Sequence, residues 1–131
     1  MIVLDASAFA LVFTGDDPRA DEADRVLRAD PAWLVPEHWY VEVLAVIRGL
    51  LLGGKLDQAG ADAAVSTLTS ATVGVVPTAS LLTRMWQVRA NLSTYDAAYV
   101  AAAEAHDLTL VTADARIARA GVARCPVRAL V

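Results

Sequence analysis

Cysteine, lysine and long apolar runs are what this 131-residue chain has least of. One cysteine, Cys125, excludes an internal disulfide and any zinc cluster built on cysteines, and it suits a reducing compartment. No apolar run reaches about 18 residues, and Met1-Ile2-Val3-Leu4-Asp5 carries no basic stretch, so we expect neither a signal peptide nor a membrane span. The expected location is cytoplasmic. Positive charge is scarce as well. The 11 Lys plus Arg stand against 15 Asp plus Glu, a net charge of -4. Taken alone, that sum argues against the basic footprint of a nucleic-acid binder. There is also no phosphate-binding loop and no Gly-rich dinucleotide fingerprint.

What is present is a folding composition. Hydrophobic residues make up 56% of the chain and the mean hydropathy is +0.46, which excludes a disordered polymer. The length suits one domain, 1–131, with no linker or internal repeat. Charge is uneven along it. Residues 1–62 hold 11 acids and five bases, whereas 63–131 hold four acids and six Arg.

Short β-rich runs alternate with helical patterns. Residues 2–4, 73–76 and 108–111 read as buried strands, with 33–35 and 126–130 as weaker ones. Helices are expected near 6–13, 18–29, 37–52, 57–71, 79–91, 94–106 and 114–120. Pro18 and Pro36 suit helix starts, and Gly53-Gly54 and Gly121 suit stops. Strands separated by helices pair in parallel through right-handed crossovers. The expected fold class is therefore α/β, a three-layer α/β/α domain with a mostly parallel sheet.

Four acids carry the chemistry in this pattern. Asp5 follows the first strand and Asp114 follows Leu110-Val111-Thr112, so both should lie beyond the carboxyl edge of the sheet, where ligands bind in such folds. Either could simply cap a helix. Asp96 completes Ser93-x-x-Asp96, a capping-box pattern. Glu42 sits among apolar residues on every side, which predicts a buried helix and a carboxylate in need of a partner. Carboxylates that converge raise one another's pKa unless a cation lies among them, and oxygen-only ligands suit Mg²⁺ or Mn²⁺. Such a site points to metal-assisted phosphoryl chemistry.

The segments Ile2-Val3-Leu4-Asp5-Ala6-Ser7-Ala8, Pro36-x5-Glu42-Val43-Leu44, Tyr95-Asp96-Ala97-Ala98-Tyr99-Val100-Ala101-Ala102-Ala103 and Leu110-Val111-Thr112-Ala113-Asp114-Ala115-Arg116 resemble, in order and spacing, the PIN domain. They are most similar to the VapC-type toxins of bacterial toxin–antitoxin pairs, over essentially the whole chain. The resemblance implies a PIN fold and an Mg²⁺- or Mn²⁺-dependent endoribonuclease that leaves a 3′-hydroxyl and a 5′-phosphate. It implies Asp5, Glu42, Asp96 and Asp114 as catalytic metal-site residues, with Ser7 and Thr112 as hydroxyl neighbours. It further implies an RNA substrate, a homodimer, and an antitoxin whose C-terminal segment lies across the active-site groove. Ala45 departs from the pattern, because many relatives carry Asn three residues after the helical Glu.

Arg84, Arg89, Arg116 and Arg119 are candidates for RNA contact, with a solvated helix face as the plain alternative. His38, one turn before Glu42, is a candidate for assistance at the groove, and Leu50-Leu51-Leu52 with the apolar stretch 39–47 could receive an antitoxin helix. A receiver-like Mg²⁺ signalling domain would pair acids after the first strand and use a late lysine. Here Ala6 follows Asp5, and the only lysine is Lys55. A phosphatase with an Asp nucleophile needs an acid where Ser7 stands. A non-catalytic interaction module, with every acid serving as a cap, is the remaining alternative.

Overall fold

The computed structural model describes all 131 residues. Five short strands, β1 (Ile2–Leu4), β2 (Trp33–Pro36), β3 (Gly74–Val76), β4 (Leu110–Thr112) and β5 (Val127–Ala129), form one sheet in the order β3-β2-β1-β4-β5. Every pairing is parallel. Seven helices join them: α1 (Ala6–Ala10), α2 (Ala20–Ala29), α3 (Trp39–Leu52), α4 (Gln58–Ser70), α5 (Leu82–Gln87), α6 (Thr94–Ala105) and α7 (Ala115–Arg119). The α/β class and all five strands are as the sequence pattern predicts. Two expected helices are shorter than read. The first tightens into a 3₁₀ turn over Leu11–Phe13, and 79–91 divides into a 3₁₀ turn, Thr78–Leu81, and α5. No helix is long and apolar enough to cross a membrane.

The strand order decides where a ligand can bind. From β1 the chain builds outward through β2 to β3, then returns to the other side of β1 for β4 and β5. The crossovers diverge between β1 and β4, and in open parallel sheets ligands bind beyond the carboxyl ends of the strands at such a point. Every residue of β1 and β4 is buried, as expected of a sheet covered on both faces.

α6 packs against β1, β2 and β4. Its residues Ala97–Ala103 are all buried, so the helix has no solvent face along that stretch. Alanine at five of those seven positions lets the backbone sit close to its neighbours on all sides. Ala102→Leu would force extra methylenes into a space without room for them. We expect it to destabilise the fold by about 1–3 kcal/mol, read as a lower urea midpoint with an unchanged denaturant slope.

Candidate active site

Register brings the first two groups together. Val3 pairs with Leu110 and Leu4 with Val111, so the next residues along, Asp5 and Thr112, meet at the crevice. The Asp5 N–H donates to Val111 O at 3.0 Å, continuing the ladder past the strand end. The Asp5 carboxylate, only 4% exposed, accepts from the Thr112 hydroxyl at 2.6 Å and from the Ser7 N–H at 2.7 Å. Thr112 Oγ1 accepts in turn from the Asp114 N–H at 2.9 Å, and Ser7 Oγ from the Ala113 N–H at 3.0 Å. The two hydroxyls lie 3.4 Å apart. Ser7 and Thr112 thus form a hydrogen-bonded floor under Asp5 and the 112–114 turn.

Burial dominates the electrostatics of Asp5. Loss of water pushes its pKa from the usual 3.8 to about 6, despite the bonds from Thr112 and Ser7. Asp96, on the first turn of α6, is also pushed up, first by burial and then by the negative charges of Asp114 and Glu42. Asp96 on α6 thereby senses both Glu42 on α3 and Asp114 on the β4–α7 turn, while Glu42 also acts on Asp5.

The remaining two acids are turned onto local donors. Asp114 caps α7 by accepting from the Arg116 N–H at 2.9 Å. Its carboxylate also takes the Arg116 guanidinium, with Nη2 at 2.7 Å from Oδ2, which holds its pKa below the usual value. Glu42 Oε2 accepts from the Tyr99 hydroxyl, and His38 Nε2 lies 3.4 Å from the same oxygen. That imidazole nitrogen is buried and has no well-aligned hydrogen bond. Burial works to raise the pKa of Glu42, but His38 and Tyr99 outweigh it and leave it low.

Two expectations from the sequence need correction. α3 is not buried all round: Val41 is 72% exposed and Leu44 48%, so the helix keeps an apolar face in solvent and Glu42 lies at its half-buried margin. Around Glu42, apolar neighbours were a poor proxy for burial. The four arginines offered as candidates for RNA contact also do not share one surface. Arg84 is spent on a pair with Glu104, Nε to Oε1 at 2.8 Å, and donates to Val122 O at 2.9 Å. Glu104 is eight residues from Asp96 on α6, about 12 Å along the axis. Arg89 stacks 4.5 Å from the centre of the Trp86 ring. Of the four, only Arg116 and Arg119 act on candidate acids, both on Asp114 and Arg116 on Asp96 as well.

Caps and site residues are not exclusive classes here. Asp5 caps α1, Asp114 caps α7, and the Ser93 hydroxyl accepts from the Asp96 N–H at 3.1 Å. Glu42 caps nothing. Sequence reasoning overlooked Tyr99 and Arg19, whose Nη1 donates to Ala113 O at 3.2 Å. Tyr99 had a readable signal: a phenol in an alanine run, one turn after Asp96, needs a partner for its hydroxyl.

As the side chains stand, no three Asp, Glu, His or Cys groups converge on one ion position. The donor chemistry nevertheless fits a hard divalent cation. It offers carboxylate and hydroxyl oxygens, a buried Asp5 without a cationic partner, and an Asp96 raised by its acidic neighbours.

A PIN domain family model matches residues 2–123. The chain is 41% identical over 127 residues to the VapC ribonuclease Mb0985 of Mycobacterium bovis, covering 97% of this chain and 96% of that one. Among solved structures it is similar to VapC20 of Mycobacterium tuberculosis, described as a sarcin-ricin loop cleaving toxin. The TM-score there is 0.68 at 25% identity, over 92% of this chain and 95% of that one. A toxin–antitoxin complex from Klebsiella pneumoniae shares the fold, with a TM-score of 0.65 at 18% identity, over 100% of this chain and 98% of the other.

Two measurements test this geometry. Thr112→Val keeps the shape but leaves the Asp114 N–H and one Asp5 oxygen unpaired. It should cost about 1–3 kcal/mol in urea unfolding and push the Asp5 pKa above its wild-type value, read by carboxyl NMR. The second is pH-dependence. Between pH 3.8 and about 6 Asp5 stays protonated when folded and ionises when unfolded, so the native state binds more protons and stability falls as pH rises. The fall from this group is on the order of 3 kcal/mol, complete above pH 6. Asp5→Asn should lack that part of the slope when unfolding is measured without divalent ions.

Proposed function

Since the chain belongs to the PIN domain family, and its relatives include VapC ribonucleases, we propose that it is a divalent-metal-dependent endoribonuclease acting as the toxin of a toxin–antitoxin pair. The observation that carries this reading is the buried Asp5 at the divergence of the crossovers, without a cationic partner, with Thr112 and Ser7 beneath it, Glu42 acting on it, and Asp96 in turn within reach of Glu42 and Asp114.

Asp5, Glu42, Asp96 and Asp114 would hold Mg²⁺ or Mn²⁺. When bound, the ion supplies charge neutralisation at the phosphodiester and a more acidic water. The protein's own part is positional. Thr112 and Ser7 orient Asp5 and the 112–114 turn. Arg116, exposed and paired with Asp114, can exchange that carboxylate for an RNA phosphate, and Arg119 adds positive charge beside it. Setting the four site acids aside leaves 11 acids and 11 bases, so the net charge of -4 is no barrier to RNA. Productive RNA binding should depend on the divalent ion.

The same reading includes a homodimer, an antitoxin partner and a cytoplasmic location. Support for a protein partner comes from α3, where Tyr40, Val41 and Leu44 line a cavity of about 370 Å³ with Val65 and Leu68 of α4. Of Leu50-Leu51-Leu52, only Leu52 is well exposed, so the apolar surface centres nearer the start of the helix. A non-catalytic module, the alternative, explains the caps at Asp5 and Asp114 but gives no reason for Glu42.

Induced expression of wild type against Asp5→Asn, followed by mapping of RNA 5′ ends, tests the proposal. Wild type should arrest growth and create new 5′-phosphate ends. Asp5→Asn should remain folded and lose cleavage by more than the roughly 10–100-fold that loss of an outer partner costs. Neither arrest nor new ends from wild type would overturn the ribonuclease reading.

A further inference from the structure

Tyr99 is a fully buried residue whose hydroxyl joins three parts of the site. It stands one turn after Asp96 on α6, donates to Glu42 Oε2 on α3, and accepts from the Ala6 N–H at 3.4 Å, the amide directly after Asp5. One oxygen atom therefore ties the segments that carry Asp5, Glu42 and Asp96. A phenylalanine would pack the same ring among the same alanines, so the hydroxyl contributes something other than packing.

What it contributes is direction for Glu42. The glutamate lies at the margin of a helix with an exposed face, and its several side-chain torsions would otherwise let the carboxylate swing. Residue 45, the next turn on the same side of α3, is an exposed alanine whose side chain can make no bond to Glu42. His38 approaches the same Oε2 but without good hydrogen-bond alignment. Oε1 carries no hydrogen bond, whereas Oε2 is held.

We propose that Tyr99 is a positioning residue of the ribonuclease: its hydroxyl anchors Glu42 through Oε2 and so leaves Oε1 as the oxygen presented to the divalent ion. The proposal rests on the ribonuclease reading above. It assigns Tyr99 no contact with RNA and no proton transfer. Outer partners that orient a ligand commonly change metal affinity or activity by about 10–100-fold when removed.

The test compares wild type, Tyr99→Phe, Glu42→Gln and the double variant. Mn²⁺ affinity is measured by calorimetry on protein without RNA, cleavage of a short RNA gives kcat and KM, and thermal melts report folding. Tyr99→Phe should weaken Mn²⁺ binding and lower kcat by about 10-fold or more, with KM for RNA unchanged. In the Glu42→Gln background the same change should add less than about twofold, because the two residues act through one bond.

A second measurement needs no variant to fold. In wild type loaded with Mg²⁺, the Tyr99 hydroxyl proton should persist as a protected downfield NMR resonance. Its loss on Mg²⁺ binding would overturn the proposal. So would a Tyr99→Phe protein that melts lower and binds Mn²⁺ with reduced stoichiometry but keeps wild-type affinity and kcat per competent site, since that is a structural tie alone. If wild type binds Mn²⁺ and cuts RNA while Tyr99→Phe matches it, only the positioning role falls. If wild type does neither, the ribonuclease reading falls and this proposal falls with it.

Discussion

A carboxylate at the end of the central strand, almost without water around it, sets the terms for the rest of the molecule. Asp5 has no cationic side chain to pair with. Its burial is made tolerable by the Thr112 hydroxyl and the Ser7 amide, and both exist at that point because β1 and β4 are neighbours in parallel register. A slip of one residue in that pairing would turn Thr112 away and leave the carboxylate with half its donors. The pairing, the capping of α1 and the 112–114 turn are therefore one cooperative unit. What the unit leaves unmet is a positive charge beside the carboxylate, and burial raises the Asp5 pKa to about 6 in consequence.

The helices around this unit solve a packing problem whose solution also serves the site. α6 has to lie close to three strands while carrying Asp96 at its solvent-facing start, and a run of alanines allows the approach. Tyr99 interrupts the run one turn after the acid, where its ring fills space and its hydroxyl meets Glu42 and the start of α1. α3 divides its residues between two tasks. Trp39, Val43 and Ile47 face the core, Val41 and Leu44 face outward, and Glu42 lies between the two faces. A helix built this way can hold a site residue at its margin and leave an apolar surface for another protein.

The arginines show how local bonding redistributes charge that looks uniform in a sequence. Arg84, Arg89, Arg116 and Arg119, all in the C-terminal half, read alike as candidates for RNA contact. In the fold Arg84 is consumed by Glu104 at the far end of α6 and Arg89 lies over Trp86, while Arg116 and Arg119 stay beside Asp114. Spacing along the chain could not separate these cases. Each depends on which acid or ring the tertiary fold brings within reach, and Arg84 and Glu104 are 20 residues apart.

From the sequence alone came the α/β class, the five strands, the approximate helices and the placing of Asp5 and Asp114 beyond strand ends, because each is written in local pattern: apolar runs of strand length, helical spacing, and an Asp just past a strand. The same locality limited it. The eight apolar residues around Glu42 between Trp39 and Ile47 resembled burial, although which of them meet the core depends on where α3 crosses α1 and α4. Tyr99 read as one more core residue until the fold placed its hydroxyl against Glu42 and the Ala6 amide. Only the tertiary structure could decide that Asp5 is the acid starved of water, that Asp114 is held by Arg116, and that Glu42 is steered by a phenol 57 residues away. The physical reason is that desolvation and hydrogen-bond direction are properties of a neighbourhood in space, and a chain specifies that neighbourhood only once it has folded.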